Sequence, residues 1–338
     1  MNRYDTLKLA FPSELLTISA RNRKRLFDRR IVEGDRPSDK LTLQPAVVKS
    51  VRGLSAIELS DTKAVLELSA KTLGPAYFDG ISARTIEQAI SKALPDGITG
   101  DVQSIIEKSN VARADVTCNV HCESIRYSLA ELGMYPRSPH TVVKDYQRRQ
   151  IESLVWTSTR KTNNLRLTAY DKQVEASRKR DKSEWSALNI DRFAGYLRFE
   201  GNLRNLSDMR LYHGIASGQP MYLPDILNSR VNALGTILDT FLPPDLEPTD
   251  THTDQRGVEG IKQEGYLALF RRCNWQWSFV RAYVLAGYSR KSNPTKVMKE
   301  VRDLFDLHNP NTSTGRITEY RRIRTAVEES FEGEGGNA

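Results

Sequence analysis

The chain has 338 residues, 39% of them hydrophobic and 27% charged, an ordinary globular composition with room for one large and one small unit. Fifty Lys and Arg against 42 Asp and Glu leave a net charge of +8, which favours a polyanionic partner but, spread over this length, does not by itself identify DNA. No run approaches the roughly 18 apolar residues of a membrane span and the opening Met1 to Asp5 lacks an apolar signal core; with only three cysteines, which argue against a disulfide framework, the expected setting is a reducing, intracellular one.

Tyr4 to Phe11 sets Tyr4, Thr6 and Lys8 against Leu7, Leu9 and Phe11 and reads as an edge or early strand broken by Pro12. Arg21 to Arg30 crowds six basic residues around Leu26 and Phe27, a solvated loop or helix face or, alternatively, a contact to a nucleic-acid backbone. Leu54 to Ser60 and Ala64 to Lys71 form a hairpin pattern, apolar at every second residue. Ser82 is placed to cap a helix carrying Ile86, Ala89, Ile90 and Ala93, and a short helix is expected over Val102 to Lys108. The strand Val111 to Val120 carries Arg113, Asp115 and Thr117 on one face, with a helix after it from Glu123 to Leu132 closed by Gly133. A basic segment from Lys144 to Arg149 leads to a strand at Ser153 to Thr159, which the turn-like Arg160 to Asn164 joins to the next strand.

That next strand, Leu165 to Lys172, has Arg166, Thr168, Tyr170 and Lys172 on one face and Leu165, Leu167 and Ala169 on the other. Arg178 to Lys182 reads as a solvated connection able to fold over a bound strand. Gly195 to Arg204 then alternates again, with Leu197, Phe199 and Leu203 opposite Tyr196, Arg198, Glu200, Asn202 and Arg204. One sheet face is therefore charged and suits a phosphate. Met209 to Gly214 and Leu223 to Leu242 read as helical; the Pro-rich stretch 243–258 is the linker; four helices follow at Glu264 to Arg272, Trp277 to Gly287, Thr295 to Leu307 and Thr318 to Glu328. The fold class is α+β, a mostly antiparallel sheet with packed helices plus a smaller helical C-terminal domain. The expected division is 1–242, 243–258, 259–330 and a flexible Gly/Glu-rich tail at 331–338.

Tyr170-Asp171-Lys172 with Glu175 (YDKxxE), Leu197 to Glu200 (LRFE) and Arg113 to Thr117 (RADVT) resemble, in order and spacing, the rolling-circle replication initiators of filamentous phages, the gene II/X family. Leu66 to Lys71, behind the hairpin, resembles that family's first half, so the likeness covers roughly residues 50 to 205. It implies a nicking-endonuclease-like catalytic domain in which Tyr170 attacks a DNA phosphodiester, forming a 5′-phosphotyrosine and a free 3′-OH before the displaced strand is rejoined. Lys172 and Arg166 lie on the face from which cations favour phenolate. Asp115 and Glu200 become ligands for Mg²⁺ or Mn²⁺, with Glu175 and Glu67 as further ligands. Arg113, Arg166, Arg198 and Arg204 become contacts to DNA. The implied partners are origin DNA, single- or double-stranded, and a host helicase and polymerase in a bacterial cytoplasm.

The residues also admit plainer roles. A strand tyrosine usually packs, Tyr196 is a rival nucleophile, and Asp115 and Glu200 can be ion-pair partners of Arg113 and Arg198. None of the five histidines forms the His-x-His pair that many related nicking enzymes carry as metal ligands. Cys118, His121 and Cys122 lack a second ligand pair at zinc spacing, so Cys118 reads as a small strand residue and His121 as exposed. Trp275, Trp277, Phe279, Tyr283 and Tyr288 lie among Arg271, Arg272, Arg281, Arg290 and Lys291, either a single-strand grip or a helical core with basic faces, and a helix-turn-helix around Gly287 is a further alternative. The alternative function is a DNA-binding regulator or structural replication factor without chemistry.

Overall fold

In the computed structural model the period-two segments assemble into one ten-stranded sheet, and every neighbouring pair in it is antiparallel. The structure describes residues 1–30, 40–135, 137–138, 140–147, 151–159, 165–177, 186–244, 258–273, 277–286, 295–308 and 310–332. The segments Arg160 to Asn164 and Arg178 to Lys182, with Arg149, Trp275, Gly287, Tyr288, Arg290, Lys291, most of the 243–258 linker and residues 333–338 of the tail, lie outside the described residues.

The strands are β1 (Tyr4–Pro12), β2 (Leu16–Ile18), β3 (Phe27–Arg30), β4 (Lys40–Leu43), β5 (Leu54–Leu59), β6 (Lys63–Ser69), β7 (Ile98–Gly100), β8 (Asn110–His121), β9 (Thr141–Gln147), β10 (Ile151–Ser158), β11 (Arg166–Asp171) and β12 (Tyr196–Leu203). The large sheet runs β3-β4-β5-β6-β1-β8-β12-β11-β10-β9, while β2 and β7 pair separately. The expected hairpin is β5 and β6. β1 is no edge strand: it lies between β6 and β8, using both sets of its backbone groups. Of the basic segment Lys144 to Arg149, Lys144 to Gln147 belong to β9, the strand at one sheet edge, and the rest lies outside the described residues.

The helices are α1 (Ala20–Leu26), α2 (Pro45–Ser50), α3 (Ile86–Ala93), α4 (Val102–Lys108), α5 (Ile125–Met134), α6 (Lys172–Ser177), α7 (Leu206–His213), α8 (Leu223–Leu227), α9 (Ala233–Phe241), α10 (Val258–Arg272), α11 (Trp277–Ala286), α12 (Thr295–His308) and α13 (Pro310–Glu332). The six-basic segment is thus split between α1 and β3, joined at the buried Leu26 and Phe27. Helix α3 opens after Thr85 rather than after Ser82; the Thr85 hydroxyl accepts from the Ser82 N–H at 2.9 Å. Helix α5 starts from Ser124 and runs through Gly133 instead of ending before it. No helix among the described residues is long and apolar enough to cross a membrane.

Helices α3, α5, α7, α9 and α13 cover the apolar sheet face. Gly201 permits the closest approach there, because a Cβ at that position would stand 2.6 Å from the Ile237 Cδ1 of α9. Tyr320, Ile323 and Val327 of α13 belong to this main core, and Tyr320 stacks on Tyr135 with ring centroids 4.3 Å apart. The last helix, inside the stretch expected as a C-terminal unit at 259–330, thus packs on α5 and the sheet and also meets α12. Helices α10 to α12 have a core of their own around Phe270, Val280, Val284, Val301 and Phe305, which accounts for the apolar spacing in that segment.

Beneath α7, the buried His213 ring meets the Met209 carbonyl through Nδ1 at 2.8 Å and the Tyr4 hydroxyl through Nε2 at 2.9 Å. Burial pulls its pKa from 6.5 down to about 4. Between those two values the unfolded chain binds the proton and the folded chain does not, so stability rises with pH across this window. Lowering the pH from about 7 to 4 is expected to cost roughly 3 kcal/mol through this residue. Urea midpoints measured over that range should flatten in His213→Gln; an unchanged slope would remove His213 as the titrating group.

Candidate active site on the polar sheet face

The face opposite the helices is polar because its strands alternate in register. Glu67 of β6 lies opposite Lys8 of β1, and Lys8 opposite Arg113 of β8. Asp115 lies opposite Asn202 of β12, which in turn faces Arg166 of β11; Glu200 faces Thr168, and Arg198 faces Tyr170. An antiparallel sheet tolerates such a face since only its other side must be covered.

Tyr170 is the penultimate residue of β11, and the chain turns at once into α6. Asp171 makes that turn: its side chain accepts from the Val174 N–H at 2.9 Å, as a helix N-cap does. The turn sends Lys172 back over the strand, where its ammonium lies 3.1 Å from the Tyr170 hydroxyl and 2.8 Å from Glu175. The YDKxxE spacing is thereby a local device, in which Asp caps, Lys returns to Tyr, and Glu one turn later holds Lys.

The Tyr170 hydroxyl donates to Glu200 Oε1 at 2.6 Å, and the same oxygen accepts from Arg198 Nε at 2.9 Å. Arg198 is fully buried at 0% exposure; it reaches Asp5 through Nη2 at 2.6 Å and Asn119 through Nη1 at 3.3 Å. Two 3₁₀ segments, Ala70–Asp79 and Ile190–Phe193, roof this end of the face. Arg198 lies 5.4 Å from the Tyr77 ring centroid and 5.6 Å from that of Phe193, and Lys172 lies 5.5 Å from Tyr77. Arg192 and Asp79 tie the two segments with paired hydrogen bonds of 3.0 and 3.1 Å.

Burial, followed by the Glu200 carboxylate, raises the Tyr170 phenol well above its ordinary value of 10; Lys172 and Arg198 oppose that shift without overcoming it. Lys172 thus acts on the phenol in the direction expected of it, while burial and Glu200 act more strongly the other way. Tyr77 is pushed up to about 12 by burial and by Asp5. Burial works against the Lys172 ammonium too, yet the oxygens of Tyr77 and Tyr170 and the Asp5 carboxylate outweigh it. For Asp5, burial is outweighed by Arg198 and Lys172, which hold the carboxyl below its usual range.

The three expected metal ligands are not gathered around a common point. Asp115 accepts from Arg113 at 2.6 Å and from Asn202 at 2.8 Å, Glu200 is held by Tyr170 and Arg198, and Glu175 by Lys172. Glu67 pairs with Lys8 at 3.4 Å and Arg113 at 3.3 Å. Among the described residues no group of three or more His, Cys, Asp or Glu side chains could hold a metal ion. In this arrangement the carboxylates do not fit Mg²⁺ or Mn²⁺, because such hard cations need several oxygens free to turn towards one point. Cys118 and Cys122 are buried free thiols and His121 is exposed.

Of the arginines expected to meet DNA, Arg166 and Arg204 are exposed, Arg113 is half-buried between two carboxylates, and Arg198 is inaccessible beneath its aromatic cover. Tyr196, the rival nucleophile, packs edge-on against Phe78 and His121, at 5.0 and 5.3 Å between ring centroids. Sequence reasoning missed Asp5 and Tyr77. Asp5 reaches the polar face only through a bulge in β1, where Tyr4 pairs with Val116 but Thr6 with Asp115, so one extra residue is accommodated. The bulge also turns Tyr4, expected on the polar face, into the core beside His213.

No family model matches the chain, and no curated protein matches it. Among solved structures, the chain is similar to a rolling circle replication initiator protein from Geobacillus stearothermophilus, with 11% identity, 71% of this chain and 84% of that one covered, and a TM-score of 0.36.

Proposed function

We propose that this chain is a rolling-circle DNA replication initiator that nicks one strand at an origin through Tyr170, leaving a 5′-phosphotyrosine and a free 3′-OH, and later rejoins the displaced strand. The observation that carries the reading is the 2.6 Å hydrogen bond from the Tyr170 hydroxyl to Glu200, with Lys172 3.1 Å from the same oxygen. A phenol whose pKa is raised needs a base at the moment of attack, and a carboxylate in hydrogen-bond contact is placed to be one.

In the proposed step Glu200 takes the phenolic proton as the phenol oxygen bonds to phosphorus. The P–O3′ bond breaks, and the 3′-oxygen leaves with a proton from solvent. Lys172, touching the attacking oxygen, offsets negative charge gathering on the phosphoryl group, and Arg198 keeps Glu200 turned towards Tyr170. Rejoining runs the step backwards, a 3′-OH attacking the phosphotyrosine and Tyr170 recovering its proton.

A DNA-binding role without chemistry is the second reading, favoured by the burial of Tyr170, which is 9% exposed. Incubating the protein with candidate origin DNA, with and without Mg²⁺ or Mn²⁺, separates the two. Nicking predicts a denaturant-stable protein–DNA adduct whose peptide map ends at Tyr170. An adduct on Tyr196 would relocate the nucleophile, and tight binding with no adduct under any of these conditions would leave the binding role.

A further inference from the structure

The same face of the sheet runs on beyond Tyr170 to its edge, past the half-buried Ser153 and the buried Val155 of β10. Strand register aligns Arg198, Tyr170, Ser153 and Tyr146 in one row across β12, β11, β10 and β9. The next row holds Glu200, Thr168, Val155 and Lys144, and the one after it Asn202, Arg166, Thr157 and Val142. At the edge these rows end in exposed side chains: Tyr146 is 54% exposed, and Lys144 and Val142 are exposed beside it. Strands in a sheet lie about 4.8 Å apart, so Tyr146 stands about 10 Å across the face from the strand that carries Tyr170, a gap the nucleotide next to the attacked phosphate can span.

We propose that single-stranded DNA flanking the attacked phosphate runs across β11 and β10 to β9, where a base stacks on Tyr146 while Lys144 and Arg166 meet its phosphates. An aromatic ring open to solvent offers a π-face to any unpaired base, and cations on the same face supply the charge complement of the backbone. A duplex keeps its bases stacked on one another and fits a flat edge with one ring poorly. A lysine on an edge strand also guards against strand pairing between chains, a role that would need nothing of Tyr146. The proposal rests on the nicking reading only in placing the attacked phosphate at Tyr170.

The test uses the full chain carrying Tyr170→Phe, so that binding is read without covalent chemistry, and a dye-labelled oligothymidylate as probe. Adding Tyr146→Ala should weaken binding about ten- to a hundredfold, with unchanged circular dichroism and melting because the side chain is exposed. Tyr146→Trp should keep the affinity and show indole emission quenched by the oligonucleotide, relative to the parent. Lys144→Ala should lower the slope of log affinity against log salt by about 0.7. If Tyr146→Ala binds like its parent, or changes only the oligomeric state, the proposal is overturned while adduct formation at Tyr170 still stands. If the wild type forms no adduct but Tyr146→Ala still loses affinity, the nicking reading fails and the stacking site survives.

Discussion

Tyr170→Phe is expected to abolish adduct formation, with nicking reduced at least about a thousandfold, since phenylalanine has no oxygen to bond to phosphorus. The fold should persist. The ring remains, Glu200 keeps Arg198, and Lys172 keeps Glu175, so the loss is confined to the hydrogen bonds of one hydroxyl, roughly 1–3 kcal/mol. DNA affinity should stay near that of the wild type because Arg166, Lys144 and the other exposed cations are untouched. Covalent capture of labelled DNA, read on a denaturing gel, checks this. A phenylalanine variant that still carries DNA through denaturation would sink the mechanism. One that neither folds nor binds would make Tyr170 a packing residue.

Arg198→Ala should be the most destabilising single change at the site. It strips the buried cation from between Asp5 and Glu200 and opens a void under Tyr77 and Phe193. Removing one partner of a buried ion pair costs roughly 3–5 kcal/mol, a large part of the 5–15 kcal/mol that typically holds a domain together. The pH dependence distinguishes this cause from lost packing. In the wild type Asp5 is held below its usual pKa, so its contribution is complete above about pH 4 and is lost on acidification through the lowered folded value. Without Arg198 the carboxyl of Asp5 loses the largest of the charges that hold it low, so the gap in stability between variant and wild type should narrow as pH falls from about 7 towards 4. Adding Asp5→Asn should recover part of the loss. Urea midpoints for the three proteins measure all of this; a parallel pH dependence in variant and wild type would point to packing alone.

Much of the site was legible because it is made of short-range pattern. Alternation located β11 and β12 and placed Arg166, Thr168 and Tyr170 on one side and Arg198, Glu200 and Asn202 on the matching side. The sequence reading left Lys172 on the strand; the structure ends that strand at Asp171, whose side chain caps α6, and Lys172 reaches Tyr170 from the helix. Hairpin β5–β6 and the helices α3, α4 and α7 were readable for the same reason: turn chemistry, caps and apolar spacing act over a few residues.

The amino-acid sequence by itself thus determined which segments alternate and, outside the bulge of β1, which side of those strands is polar. Only the tertiary structure decided that β1 lies in the middle of the sheet, because strand order depends on partners distant in the chain and leaves no mark on the strand itself. It also decided that one extra residue in β1 lifts Asp5 to Arg198, and that α13 contributes Tyr320, Ile323 and Val327 to the main core. Above all it decided the state of the charges. A strand arginine reads the same in sequence whether it meets water or an aromatic roof, and a carboxylate reads the same whether it awaits a metal or already holds a guanidinium. Which of these holds is fixed by what long-range packing lays over the side chain: it removed the water from Arg198 and gave Glu200 a guanidinium partner.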